Sequence, residues 1–237
     1  MRFPKVIRTR IIPPPGSART LYRSRVSRAL AQAMDYRLTI LLAGAGYGKS
    51  TALAGLVKDV QPMIWYQVIE QDSDPLIFLL HLCHATQLAL PDLAGLPTQF
   101  LEAWDGTQGV FPWSGVLDQY LNVVSEYLDR PAVLVLDDIP QAAGASEIAH
   151  LLDRLVGLAP PHLHILMAGR PPLTLPNLTR WRLQGEVLTV EQSLLAFTAD
   201  EIATLFSQHY GYELTAHEVE SVQAFTEGWA IALQLIW

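Results

Sequence analysis

The order of apolar and polar positions predicts short apolar strands that alternate with amphipathic helices. Five apolar runs have the length of buried strands, at residues 38–42, 63–68, 132–136, 164–168 and 186–190. Apolar residues recur at helical spacing before and between them, at residues 21–36, 50–57, 74–90, 113–128 and 148–158. Apolar strands alternating with helices are typical of a parallel sheet covered on both faces. The pattern predicts an α/β fold with a five-stranded, mostly parallel sheet between helices.

The segments outside this alternation predict a loop, an arm and a helical subdomain. Residues 91–112 are rich in Pro, Gly and Asp and predict a surface loop. From Phe197 on, the pattern is only helical, at about 199–209, 215–226 and 228–236, and Thr198 with Glu201 predicts a capping box. We therefore divide the chain into an N-terminal arm (1–20), a sheet domain (21–195) and a small all-helical subdomain (196–237). The last apolar helix runs to Trp237 without a cap, so we expect further sequence to cover it.

The amino-acid composition of the chain argues against several classes of protein. Half of the 237 residues are hydrophobic, the mean hydropathy is +0.22 and the net charge is −7. An acidic chain argues against direct nucleic-acid binding by this segment. The single cysteine, Cys83, predicts a reducing compartment. No apolar run approaches the roughly 18 residues of a membrane span, and the start lacks the apolar core of a signal peptide. We expect a cytoplasmic protein with no membrane partner.

Basic residues cluster near the start of the chain and allow two interpretations. They are Arg2, Lys5, Arg8, Arg10, Arg19, Arg23, Arg25 and Arg28. They either form a solvated arm or bring an arginine to a bound nucleotide. In the second case Arg23 is our candidate for the nucleotide contact.

The strongest chemical signal is a glycine-rich loop directly after the first predicted strand. Residues 43–51 read Ala-Gly-Ala-Gly-Tyr-Gly-Lys-Ser-Thr and precede a helical pattern. Loop amides and a helix N-terminus together suit an anion, which predicts a phosphate-binding loop. Lys49 would reach the β- and γ-phosphates and the Ser50 hydroxyl would contact Mg²⁺. The nucleotide-binding residues predicted in this loop are Ala45, Gly46, Tyr47, Gly48, Lys49, Ser50 and Thr51.

Three charged residues at the ends of later strands predict the rest of the site. Asp137 and Asp138 follow the third strand, and Arg170 follows the fourth. The carboxyl ends of parallel strands share one edge of the sheet, where the phosphate loop also lies. We predict that Asp137 holds Mg²⁺ with Ser50, and that Asp138, pointing the other way along an extended strand, polarises the attacking water. Arg170 would contact the γ-phosphate, so that Asp138, Lys49 and Arg170 are the candidate catalytic residues.

At this point the chain resembles a known family, the MalT-like regulators of the STAND class of signal-transduction ATPases. The phosphate loop at 43–51 is similar to theirs, including Ala43 in place of the first loop glycine. The similarity covers nearly the whole chain, in the segments 6–14, 23–26, 65–78, 133–138, 165–170, 195–202 and 226–233. The run 181–197 is most similar to members of the LuxR type with a bacterial transcriptional activator domain. One departure is Ala230, where related proteins often have a proline that meets the adenine.

The resemblance implies a P-loop NTPase that serves as the nucleotide-binding core of a larger transcriptional regulator. ATP, ADP and Mg²⁺ would be its ligands, and slow ATP hydrolysis would reset an oligomerisation switch. Self-association would belong to the ATP state, DNA would be bound by other domains, and an unidentified inducer would set the balance. Two alternatives stay open: a STAND scaffold or defence protein with another effector, and a P-loop kinase acting on a small molecule. The helical tail favours the first two interpretations over the kinase.

Overall fold

A five-stranded parallel sheet forms the centre of the computed structural model, which describes residues 6–15, 20–56, 60–107, 109–139 and 147–236. The strands are β1 (Leu38–Leu42), β2 (Met63–Gln67), β3 (Ala132–Ile139), β4 (Leu163–Gly169) and β5 (Val187–Glu191). Their order across the sheet is β2-β3-β4-β1-β5, and every neighbouring pair is parallel. The predicted α/β fold and strand number are confirmed.

Alternation along the strands divides the core into two layers. In β1, Leu38 and Ile40 face one layer while Leu41 faces the other. In β2, Tyr66 belongs to the first layer and Trp65 to the second. Successive side chains of a strand point to opposite faces, so a strand buried on both faces must be apolar at nearly every position. This is why the apolar runs could be recognised in the sequence.

Eight α-helices accompany the sheet within the described residues before the C-terminal helices. They are α1 (Ser24–Ala31), α2 (Lys49–Leu56), α3 (Pro75–Ala89), α4 (Thr98–Ala103), α5 (Trp113–Tyr127), α6 (Glu147–Leu158), α7 (Leu178–Leu183) and α8 (Gln192–Leu195). The prediction of a continuous loop over 91–112 was wrong, because α4 lies inside it. With six residues and only Leu101 buried, α4 is too short to show periodicity. For the same reason α7 and α8 were not predicted.

Within the described part of the N-terminal arm, Arg10 and Ile11 are packed against the sheet domain. Ile11 is part of the larger core cluster, and Arg10 is buried. Arg10 forms an ion pair with Asp72 and donates Nε and Nη2 to the Gln67 carbonyl at 3.1 and 3.0 Å. Arg10 is therefore neither solvated nor directed at the phosphate loop, so neither interpretation of the basic cluster describes this arginine.

The C-terminal helices form a third, smaller core. They are α9 (Ala199–Leu205), α10 (Ala216–Thr226) and α11 (Ala230–Leu235), with a wider π-type turn over Phe206–Tyr210 after α9. The predicted capping box is present, since Glu201 N donates to Thr198 Oγ1 and Thr198 N donates to Glu201 Oε2. Ile202, Leu205, Phe206 and Leu233 are buried together. We continue to propose a boundary near residue 195, with the helical subdomain after it.

Candidate functional site

The glycine-rich loop connects β1 to α2 at the carboxyl edge of the sheet. Ala43 N donates to the Gly169 carbonyl at 3.2 Å, which fixes the loop's first residue beside β4. Gly46 and Gly48 have φ of 76° and 77°, a left-handed conformation that glycine adopts without steric cost. Helix α2 begins at Lys49, so the unsatisfied N–H groups of its first turn lie at the loop. This arrangement is suited to an anion.

Lys49 is buried along the inside of the loop. Its Nζ donates to the carbonyls of Ala43 and Gly44, both at 2.9 Å, and the residue is 7% exposed. Burial lowers the pKa of Lys49, while the charges of Asp138 and Asp137 raise it and that of Arg170 lowers it further. Asp137, Asp138 and Arg170 therefore all lie within electrostatic range of Lys49.

The side chain of Asp137, in β3, contacts that of Ser50, in α2, at this edge of the sheet. Asp137 is 1% exposed and accepts a hydrogen bond from the Ser50 side chain. Burial raises the pKa of Asp137, and the bond from Ser50 opposes that shift. A hydroxyl beside a carboxylate is a pair of oxygen ligands that suits Mg²⁺, which usually completes its shell with water and phosphate oxygens. Within the described ranges, no group of three or more His, Cys, Asp or Glu could hold a metal.

Asp138 departs from the extended conformation predicted for it. It has a φ of 59° and lies at a register shift between Leu136 and Ile139 in the β3–β4 pair. Its N–H donates to Asp137 Oδ1 at 3.0 Å, and its Oδ2 lies 3.5 Å from Gln67 Nε2. The interpretation of an extended Asp138 was wrong, because the strand bulges here. The side chain is exposed at the same edge as the loop.

The two arginines predicted for the site are placed differently. Arg170 directly follows β4, is exposed and influences Lys49 electrostatically. Arg23 donates Nη1 to the Leu195 carbonyl at 2.6 Å and stacks 4.3 Å above the Phe197 ring. Its guanidinium therefore holds the start of the helical subdomain. A contact between Arg23 and a nucleotide stays a prediction.

Residues from the later part of the chain contact the loop, and the sequence did not indicate them. The Trp229 indole Nε1 donates to the Ala45 carbonyl at 2.8 Å, and Ile231 N donates to the Gly46 carbonyl at 3.2 Å. Gln192 Oε1 accepts from Gly44 N at 2.9 Å. Trp229 lies in the segment 226–233, which the sequence indicated only as similar to the family, and Gln192 carries no sequence signal.

A separate cavity of about 350 Å³ lies at the opposite edge of the sheet. Its lining includes Arg37 before β1 and Glu186 before β5, which are paired at 3.3 Å. Arg154, also in the lining, is paired with Asp118 at 2.6 Å. Arg37, Glu186 and Arg154 are thus already engaged in ion pairs, and the cavity is separate from the loop.

Known proteins are similar to this chain in sequence and in fold. The chain is 31% identical over 219 residues to the HTH-type transcriptional regulator MalT of Yersinia enterocolitica, which covers 92% of the chain. A STAND protein with a tetratricopeptide repeat sensor from Pyrococcus horikoshii superimposes on 94% of the chain with a TM-score of 0.63 and 17% identity. The chain is thus similar to MalT along nearly its whole length, and it has the fold of P-loop ATPases such as this STAND protein. No family profile matches it.

Two further relatives widen the comparison of this MalT-like domain. It is 29% identical over 229 residues to the serine/threonine-protein kinase PknK of Mycobacterium tuberculosis, covering 94% of the chain. A Walker-type ATPase of Pyrococcus abyssi matches in fold, with a TM-score of 0.56, 14% identity and coverage of 94% of this chain and 68% of that one. The chain spans 23% of MalT, 20% of PknK and 30% of the Pyrococcus horikoshii protein. No helix in the described part of the chain could cross a membrane.

Proposed function

We propose that this domain is the ATP/ADP-binding switch module of a STAND-type transcriptional regulator. The observation that carries the proposal is the assembly of Lys49, Ser50 and Asp137 around a glycine loop at one strand edge. The similarity to MalT over 92% of the chain supports the regulatory context. By that similarity the protein would act in the cytoplasm.

The residues of the site have distinct proposed roles. The loop residues Ala45, Gly46, Tyr47 and Gly48 and the first turn of α2, with Thr51, present N–H groups to the phosphates. Lys49, now bonded to loop carbonyls, turns its ammonium group to the β- and γ-phosphates. Ser50 and Asp137 would hold Mg²⁺, which would neutralise phosphate charge when it is bound.

Hydrolysis would depend on the exposed charges at the strand ends. Asp138 would accept a hydrogen bond from the attacking water and orient it. Arg170 would lie against the γ-phosphate and stabilise charge that develops there. We propose that this reaction is slow and acts as a timer that returns the protein from an ATP-bound, self-associating state to an ADP-bound resting state. DNA binding would reside in other domains, and an inducer would bias the switch.

A second candidate function keeps the same nucleotide site with another effector. The similarity to PknK, whose name describes a protein kinase, supports a domain that can be joined to different outputs. A small-molecule P-loop kinase is less favoured, because Trp229 and Ile231 of the helical subdomain bond directly to the loop. The two candidates differ in the effector, which binds DNA in the first and is enzymatic or of another kind in the second.

Calorimetric titration of the purified chain with ADP and ATP, after bound nucleotide has been removed, tests the proposal. The wild type is expected to bind both in the presence of Mg²⁺. Lys49→Ala should abolish binding, because the ammonium group is the main cation of the phosphate site, while Arg28→Ala, at an exposed arginine of α1, should leave it unchanged. Absence of binding by the wild type, or binding unaffected by Lys49→Ala, would contradict the nucleotide site.

A further inference from the structure

Four consecutive carbonyl groups of the phosphate loop accept hydrogen bonds from this chain. Lys49 Nζ bonds to those of Ala43 and Gly44, at 2.9 Å each. The other two donors come from the helical subdomain: the Trp229 indole at 2.8 Å from Ala45 O and Ile231 N at 3.2 Å from Gly46 O. The loop is therefore shaped partly by residues more than 180 positions later in the sequence.

The backbone before Trp229 places its indole on the loop. Helix α10 ends at Thr226, and Glu227 and Gly228 follow with φ of 50° and 71°. Gly228 packs so tightly that a Cβ there would lie 2.4 Å from Phe197 O, and its carbonyl accepts from Phe197 N at 2.9 Å. This turn reverses the chain and anchors it to the start of the subdomain. The backbone that carries Trp229 is thus anchored beside the loop.

A hydrogen bond that fixes the direction of a carbonyl group also fixes the direction of the N–H group in the same peptide unit. In a trans peptide the C=O and the following N–H point in opposite directions. Bonds to Ala45 O and Gly46 O therefore aim the N–H groups of Gly46 and Tyr47 away from Trp229 and Ile231. Those two amides are among the donors that a phosphate-binding loop uses.

We propose that Trp229 is a positioning residue for the phosphate loop, and that its indole N–H couples nucleotide binding to docking of the helical subdomain. The inference rests on the proposed function, since the ligand is the nucleoside diphosphate or triphosphate assigned to this loop. If docking pre-orients the loop amides, a bound nucleotide must in turn strengthen docking, because coupling between two binding events is reciprocal. Trp229 thereby links the site to the element that would move in a switch.

The test compares Trp229→Phe with Trp104→Phe in the 237-residue chain. Phenylalanine keeps a ring opposite Tyr47, 6.2 Å from the Trp229 ring, but has no N–H. Trp104 lies 5.6 Å from Phe100, in a ring cluster outside the site, and offers the same substitution without a loop contact. Loss of one neutral hydrogen bond predicts a Kd for ADP about three- to tenfold weaker in Trp229→Phe and unchanged in Trp104→Phe.

Hydrogen exchange supplies a readout that a general loss of stability would not give. In the wild type, ADP is expected to slow amide exchange in residues 226–236 as well as in the loop at 43–51. In Trp229→Phe, saturating ADP should still protect the loop, while the protection of 226–236 falls toward that of the nucleotide-free protein. Exchange of the β1 amides should be the same in both proteins.

The outcomes separate this inference from the proposed function. Two results would overturn the positioning role alone, provided that the wild type binds ADP. One is the same Kd for ADP in Trp229→Phe as in the wild type. The other is that ADP gives no protection of residues 226–236 in the wild type. Wild-type protein that binds neither ADP nor ATP would overturn the proposed function and this inference together. A weaker Kd with selective loss of protection in 226–236 would support both.

Discussion

Alanine at Gly46 or Gly48 probes the contact between the loop and the helical subdomain. Both glycines have nearly the same left-handed φ, 76° and 77°, so each substitution carries the same backbone penalty of about 1–2 kcal/mol. Their surroundings differ. A Cβ at Gly48 would meet nothing within 4 Å, whereas one at Gly46 would lie 2.9 Å from Trp229 Nε1 and 3.0 Å from Ile231 Cβ. Gly48→Ala is therefore a matched control for Gly46→Ala.

Gly46→Ala should destabilise the chain more than Gly48→Ala does, and the size of this difference depends on how the clash at Gly46 relaxes. Keeping the indole in place would overpack the contact, at about 1–3 kcal/mol. Displacing the indole would break its bond to Ala45 O, at about 0.5–1.5 kcal/mol. The chain should take the cheaper route, so we expect Gly46→Ala to be about 1 kcal/mol less stable than Gly48→Ala. For a domain of this size that difference corresponds to a Tm lower by about 2–4 °C.

Thermal unfolding of the nucleotide-free proteins, followed by circular dichroism, measures this difference. Repeating both substitutions in the Trp229→Phe background should reduce the excess, because the indole contact and its bond are then absent. The remaining difference should come from Ile231. Equal Tm values for the two alanine variants, or an excess that Trp229→Phe does not reduce, would refute the proposed packing of Trp229 on the loop.

Three further predictions concern buried charge, hydrolysis and metal binding. Arg10→Ala should lower the free energy of unfolding in urea by about 3–5 kcal/mol, because it leaves the carboxylate of Asp72 buried and unpaired. Arg154→Ala, which breaks an exposed pair, should cost about 0–1 kcal/mol, and equal losses would contradict the reasoning. Asp138→Asn should preserve ATP affinity in calorimetry but slow phosphate release, and hydrolysis at the wild-type rate would exclude the water-orienting role. Since burial raises the pKa of Asp137, protons compete with Mg²⁺ there up to a higher pH than at an ordinary aspartate. The Mg²⁺-dependent gain in ADP affinity should therefore fall as the pH is lowered toward that pKa, and it should be absent in Asp137→Asn. A gain that stays constant down to the pH range in which an ordinary aspartate titrates would contradict this role of Asp137.

The parts of the fold that the sequence predicts well are those specified locally. Apolar runs such as Leu38–Leu42 become buried strands because both faces of a covered sheet require apolar side chains. Asp74, before Pro75, caps α3 through its side chain, which accepts from Leu76 N at 2.8 Å. Thr198 with Glu201 likewise starts α9. Each signal depends on residues within a few positions of one another.

The features that could not be predicted depend on contacts between distant parts of the chain. Arg10 is buried because its partners come from the end of β2 and the turn after it, some sixty positions later. Asp138 takes its positive φ from a bulge that forms where β3 meets β4. Trp229 reaches Ala45 only because α10 ends in two left-handed residues packed on Phe197. Local sequence patterns contain no information on these pairings. The candidate site was therefore predicted as a set of strand ends, without the contacts that the helical subdomain adds to it.

Identification of the nucleotide that remains bound to the purified chain tests the central claim most directly. Chromatography of the supernatant after denaturation is expected to reveal ADP in near-stoichiometric amount in wild-type protein and none in Lys49→Ala. Adenine nucleotide missing from the wild type, together with no ADP or ATP binding by calorimetry, would contradict the account of this domain as a nucleotide switch.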